Sequence, residues 1–157
     1  MSAMSPAILA VLLAAGPARA AVKTVPYTPP SKSFACEVPA EGWSAFEEET
    51  PRGLTTHILG PEEPDGRFRP AIHVQVFDAS RPGFVKWQEL LPKLRARDPE
   101  VGRESSTMTA WRIDRRAART FEIREDRLLP IDRYPAEWTR LHHFYALVPG
   151  SGESYVL

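Results

Sequence analysis

The chain is 157 residues long, and its 20 basic and 20 acidic residues leave a formal net charge of zero at pH 7. That balance provides no overall field to attract nucleic acid or an anionic lipid surface, so neither is expected as a partner. The length suits one domain with its own core. The single cysteine excludes an intramolecular disulfide.

The beginning of the chain has the features of a secretory signal peptide, although no Lys or Arg precedes its apolar run. That run, from Pro6 to Gly16, is followed by an Ala-Arg-Ala sequence ending at Ala20, which is typical of a cleavage site. It is too short to span a bilayer, which needs about 20 residues. We therefore expect cleavage after Ala20 and a periplasmic or secreted mature chain without stable membrane insertion.

The segment after the signal is rich in proline. Residues 21–32 contain three prolines, which predicts an extended, poorly ordered tether, and the domain is expected to occupy residues 33–157. Its first strand, Ser33–Val38, alternates in a way that places Cys36 on the same face as its apolar neighbours. We therefore expect Cys36 to be a buried small hydrophobe rather than a reactive or lipid-bearing thiol.

Most of the remaining elements are predicted as strands, because apolar residues alternate within short segments bounded by turn residues. These segments are Trp43–Glu48, Leu54–Leu59, Ala71–Phe77, Glu104–Ile113, Ala117–Arg124, Glu137–Val148 and Glu153–Leu157. One helix is predicted over Gly83–Arg97, with Ser80 as N-cap and a kink or an early end at Pro92. Trp43 and Trp87 are expected in the core. This pattern predicts an α+β domain built on an antiparallel sheet packed by one main helix.

Catalytic signatures are absent from the sequence. It contains no G-x-S-x-G elbow, phosphate-binding loop, H-E-x-x-H zinc motif or Cys-x-x-Cys pair. We therefore expect a chain that is not an enzyme and that needs no cofactor.

Two histidines offer the main chemical alternative. If the apolar side chains of the two strands lie on the same side of the sheet, His57 lies directly opposite His73 on the other side. Two imidazoles so placed could share a metal ion, for which His143 or Glu62 would be a third ligand. The alternative function is thus a small-molecule or metal-binding enzyme subunit that uses this face. The simpler interpretation is a pair of exposed polar residues.

A basic segment is the strongest charged feature of the sequence. Arg112, Arg115 and Arg116 lie close together, and acidic residues interrupt the basic run. Such a segment is either a solvated, salt-bridged face or a docking surface for an acidic protein partner.

The order of the elements resembles a known family. The stretch "FACEVPAEGW" runs from a strand into a turn with Pro39, Gly42 and Trp43, and hairpins, a helix near "FVKWQELL", the strand "RAARTFEI" and a final strand pair follow. Over Ser33–Leu157 this pattern resembles the PsbP-like domains, which are small exported α/β/α domains. The resemblance implies an accessory or assembly role. It also implies a C-terminal helix packed on the sheet, for which this sequence shows no counterpart.

The long strand near the end of the sequence is apolar on both faces. Trp138 and Phe144 lie on one face, and one predicted helix can cover only one side of a sheet. We expect the other face to be partly exposed and to bind a protein partner. Either a longer chain completes this sheet, or the open edge at the C-terminal strand, Glu153–Leu157, accepts a strand from another protein or allows self-association. The residues expected on the exposed face are Leu141, Tyr145 and Leu147.

Overall fold

The computed structural model describes residues 8–9, 22–64, 66, 68–131 and 135–157. The predicted signal peptide and its cleavage point after Ala20 lie outside these residues, except for positions 8 and 9. In the described part, no helix is long and apolar enough to cross a membrane. The elements are β1 (Ile8–Leu9), β2 (Thr24–Tyr27), β3 (Ala35–Pro39), β4 (Ser44–Thr50), β5 (Gly53–Leu59), β6 (Ala71–Phe77), α1 (Trp87–Leu94), a 3-10 helix (Pro99–Val101), β7 (Glu104–Ser105), β8 (Thr109–Ile113), β9 (Arg116–Leu129), β10 (Glu137–Pro149) and β11 (Tyr155–Val156).

A large antiparallel sheet organises the domain. Its strand order is β4-β5-β6-β11-β10-β9-β7, and β8 pairs with β9 next to β7. In a small second sheet, β3 lies between β2, which is antiparallel to it, and β1, which is parallel. The predicted class, α+β with an antiparallel sheet and one main helix, is therefore confirmed.

Part of the expected tether is a paired strand. Thr24–Tyr27 forms β2 along the edge of β3, where Val25 lies opposite Val38. Pro26 fits this position because an edge strand tolerates a residue without a backbone N–H. The segment is therefore extended as expected, but it is held against the domain by a ladder of hydrogen bonds.

Two apolar clusters lie on opposite faces of the large sheet, because successive side chains of a strand point to opposite sides. The helix-side cluster consists of Phe77, Leu91, Phe121, Ile123, Leu147 and Tyr155. The cluster under the small sheet consists of Phe34, Cys36, Val38, Ile58 and Val74. Cys36 is 6% exposed, which confirms its predicted burial. Trp87 packs against the first cluster and Trp43 against the second, and both are partly buried.

The helix is shorter than the sequence predicts. It spans Trp87–Leu94, and its N-cap is Lys86 without a side-chain cap. The prediction of Ser80 is wrong, because its backbone N–H donates to Asp78 in a turn well before the helix. Pro92 remains inside the helix, which ends two residues later, so the expected early end is confirmed.

The last strand lies inside the sheet and not at its edge. Tyr155 pairs with Phe77 of β6 on one side and with β10 on the other. Its ring stacks on that of Phe77 with centroids 4.4 Å apart, and its hydroxyl donates to the Val85 carbonyl at 2.7 Å. Burial raises the pKa of Tyr155 to about 12. β11 thus joins the two halves of the sheet and carries a central core residue.

Candidate partner-binding surface on β10

The side chains on the two faces of β10 differ in how deeply they are buried. Leu147 is 1% exposed, and the partly buried Tyr145 stacks on Phe121 with centroids 4.9 Å apart. Both pack into the helix-side cluster. The expected exposure of this face is therefore wrong for Leu147, which the core on the α1 side of the sheet covers, while Leu141 and Tyr145 are partly exposed.

The opposite side of β10 is the exposed one. Phe144 is 80% exposed and Trp138 is 68% exposed, while Leu128 of β9, directly opposite Trp138, is 48% exposed. We call this side the outer face. It consists of Trp138, Arg140, His142 and Phe144 of β10, with Glu122, Arg124, Asp126 and Leu128 opposite them on β9.

Ion pairs occupy the outer face between its two aromatic residues. Because at least one partner of each pair is exposed, each pair contributes little to stability. Their effect is to hold the polar side chains against one another. Hydrogen bonds from Arg124 and then His142 lower the pKa of the Glu122 carboxyl. The pairs, with N–O distances from 2.6 to 3.0 Å, are Arg140 with Asp126 and Glu104, and Glu122 with Arg124 and His142.

Although β10 lies between two strands of the sheet, one of its backbone edges is largely unpaired among the described residues. β10 pairs with β9 from Glu137 to Leu147 on one side. On the other side, the described residues pair with β10 only at Val148 and Pro149, through β11. Alternate residues of a strand direct their N–H and C=O groups to opposite sides. About half of the backbone groups over Trp138–Leu147 therefore point towards a side where the described residues place no strand.

The neighbouring strand β6 has a similar edge. Phe77 and Val76 pair with β11, and Leu157 exchanges two backbone hydrogen bonds with Gln75. Beyond Gln75, the described residues place no strand next to Ala71–Val74 on the side away from β5. A strand in line with β11 would therefore meet open backbone edges on both β6 and β10.

A buried carboxylate lies on the helix side of β9. Glu125 is 4% exposed, and it accepts hydrogen bonds from Arg103 and Arg127 at 2.8 Å each. Burial raises the pKa of Glu125, but the hydrogen bond from Arg127 and the charges of Arg127, Arg103 and His143 outweigh it, so the net shift is downward. Arg103 also donates to the carbonyl of Leu94 at 2.7 Å. This network joins the end of the helix to the sheet.

His57 and His73 lie opposite each other as predicted. Their Nδ1 atoms are 2.9 Å apart, and His57 Nε2 is 3.1 Å from Glu48 Oε1. Partial desolvation of the His73 ring, and then the neighbouring His57, lower the pKa of His73. No group of three or more His, Cys, Asp or Glu residues suited to a metal ion occurs in the described part of the chain. Neither expected third ligand therefore joins the pair, and His143 lies beside Glu125.

The three arginines proposed as a docking surface lie on the β8–β9 hairpin. Its two turn residues, Asp114 and Arg115, have φ of 46° and 64°, as a tight hairpin turn of mirror-image type requires. Arg112 and Arg115 are exposed, and Arg116 is partly buried. β9 separates β8 from β10, so these arginines lie apart from the open edge.

Comparison of the chain with protein-family models, with curated proteins and with solved structures finds no match in any of the three. The geometry of β10 is therefore the basis on which its role is inferred.

Proposed function

We propose that this chain is an exported, non-catalytic domain that binds a protein partner, and that the partner adds an extended segment to the open edge of β10. The observation that carries the proposal is the coincidence of two features on one strand. Over Trp138–Leu147 β10 has an edge that no described strand occupies. The same strand exposes Trp138 and Phe144.

Strand addition explains why both features are needed. Hydrogen bonds between main chains supply much of the affinity of such complexes, and alternate side chains supply the specificity. An open strand edge is a template for pairing with another chain, and the charge of Arg140 on β10 is already paired with Asp126 and Glu104. By contrast, the edge strand β4 carries three consecutive glutamates, Glu47–Glu49, which discourage pairing there.

The exposed aromatic residues indicate the chemistry of the partner. A strand added next to β10 places alternate side chains beside those of the outer face. We expect apolar or aromatic partner residues near Trp138 and Phe144, and polar ones near the ion pairs between them. Aromatic residues in this setting commonly dominate binding energy.

The resemblance to PsbP-like domains supports the same proposal. It implies an accessory or assembly role, and an α/β/α architecture in which further chain covers the sheet. The outer face of β10 is the surface that such cover would occupy. The predicted signal peptide would place this interaction in the periplasm or outside the cell.

Site-specific photo-cross-linking in cells tests the proposal. A photoreactive amino acid replaces Phe144 in one variant and Trp111 in the control. Trp111 is 56% exposed and lies opposite Ala118, on the same side of the sheet but across β9. We expect the probe at Phe144 to give one discrete protein adduct that the probe at Trp111 does not give. An adduct with a second copy of the chain would identify self-association. No adduct at Phe144, or equal adducts at both positions, would contradict the proposal.

A further inference from the structure

Three aromatic rings form a row across β4, β5 and β6. Phe46 lies opposite His57, which in turn lies opposite His73. The Phe46 and His57 rings are stacked with centroids 4.8 Å apart and an interplanar angle of 15°. The two histidine rings meet at 82° with centroids 4.9 Å apart. Phe46 therefore packs on one face of the His57 ring, and the Nδ1 edge of that ring points towards His73.

The hydrogen bonds of the row assign its tautomers. An ionised carboxylate only accepts hydrogen bonds, so His57 Nε2 carries the hydrogen that Glu48 Oε1 accepts at 3.1 Å. His57 Nδ1 then has a free lone pair, and His73 Nδ1 is the donor of the 2.9 Å contact between them. If His73 changes to its other neutral tautomer, the hydrogen lies on Nε2 and not on Nδ1. Both Nδ1 atoms, of His57 and of His73, then have a free lone pair.

We propose that His57 and His73 form a two-histidine site for Cu²⁺ or Ni²⁺, in which water fills the remaining coordination positions. Two imidazole nitrogens each bound at about 2.0–2.1 Å, and separated by the observed distance, subtend an angle of about 90° at the ion. That is the angle between neighbouring ligands in square-planar or octahedral coordination, which Cu²⁺ and Ni²⁺ favour. A tetrahedral Zn²⁺ ion would require the nitrogens to move apart.

The surroundings of the pair suit a metal site that is open on one side. A metal-binding histidine usually donates its second N–H to a carboxylate, which orients the ring, and Glu48 has this position relative to His57. The His57 side chain is 21% exposed and His73 is exposed, so water and the ion can reach the pair. The inference does not depend on partner binding at β10.

Calorimetric titration of the untagged chain with Cu²⁺ and with Ni²⁺ tests this site. We expect one ion per chain, and an electron paramagnetic resonance spectrum of the Cu²⁺ complex that shows two coordinated imidazoles. His57→Ala and His73→Gln should each weaken binding at least tenfold. Glu48→Gln should weaken it by about tenfold through loss of ring orientation.

His142→Ala is the matched control, because His142 is also exposed and also contacts a carboxylate, but it has no histidine opposite it. We expect binding by this variant to equal that of the unmodified chain. Circular dichroism establishes that each variant is folded before titration. The proposal is overturned if the unmodified chain binds no tighter than His57→Ala, or if His142→Ala weakens binding as much as His73→Gln.

Discussion

Replacing Tyr155 with alanine is expected to lower the free energy of unfolding by about 3–5 kcal/mol. Tyr155 is 1% exposed, its ring stacks on Phe77, and its strand joins β6 to β10. Truncation leaves a large cavity where the two halves of the sheet meet. Since the free energy of unfolding of such domains is about 5–15 kcal/mol in total, this substitution is expected to remove a large share of it.

Urea denaturation followed by tryptophan fluorescence measures this loss. Tyr155→Phe is the control, because it keeps the ring and removes only the hydroxyl that donates to the Val85 carbonyl. It should cost about 1–3 kcal/mol, as expected when a buried acceptor loses its partner. If the alanine variant loses less than the phenylalanine variant, β11 does not hold the sheet together in the way described.

The second large effect is expected at the outer face of β10. Replacing both Trp138 and Phe144 with serine should weaken binding of the partner identified by cross-linking at least 30-fold, because even a single aromatic hot spot contributes about 2 kcal/mol or more. The free energy of unfolding should change by no more than about 0.5 kcal/mol, since both side chains are largely exposed.

Trp111→Ser is the matched control for this pair of substitutions. It removes an exposed aromatic residue from the same side of the sheet, but from β8 and not from the open edge. Its partner affinity should match that of the unmodified chain. Equal losses in Trp111→Ser and in the double variant would mean that general hydrophobicity, and not the β10 edge, determines binding.

Local patterns were sufficient to predict most of the elements. Ala71–Phe77 was predicted with the bounds that the structure gives it, and the register that brings His57 opposite His73 followed from matching two apolar faces. The predicted helix start was wrong. Serine is a common N-cap residue, but Ser80 belongs to a separate turn in which its N–H donates to Asp78. The pairing of the proline-containing tether depends on contact with β3, which local composition does not report.

The candidate surface was predicted only in part. The sequence indicated that β10 is apolar on both faces, but the face covered by α1 depends on how the helix packs, so the more exposed of the two faces is the one opposite to that predicted. The entry of β11 between β6 and β10 is a long-range arrangement. Alternation within one strand does not determine which strands become its neighbours, and the open edge was therefore misplaced.

Residue-resolved amide hydrogen exchange on β10 is the most direct test of strand addition. In the free chain, alternate amides between Trp138 and Ala146 should exchange quickly, while the amides that pair with β9 exchange slowly. Adding the partner, or an extended peptide taken from its cross-linked segment, should protect the fast set. Slow exchange of all these amides in the free monomer, or binding that leaves the fast set unprotected, would contradict the account.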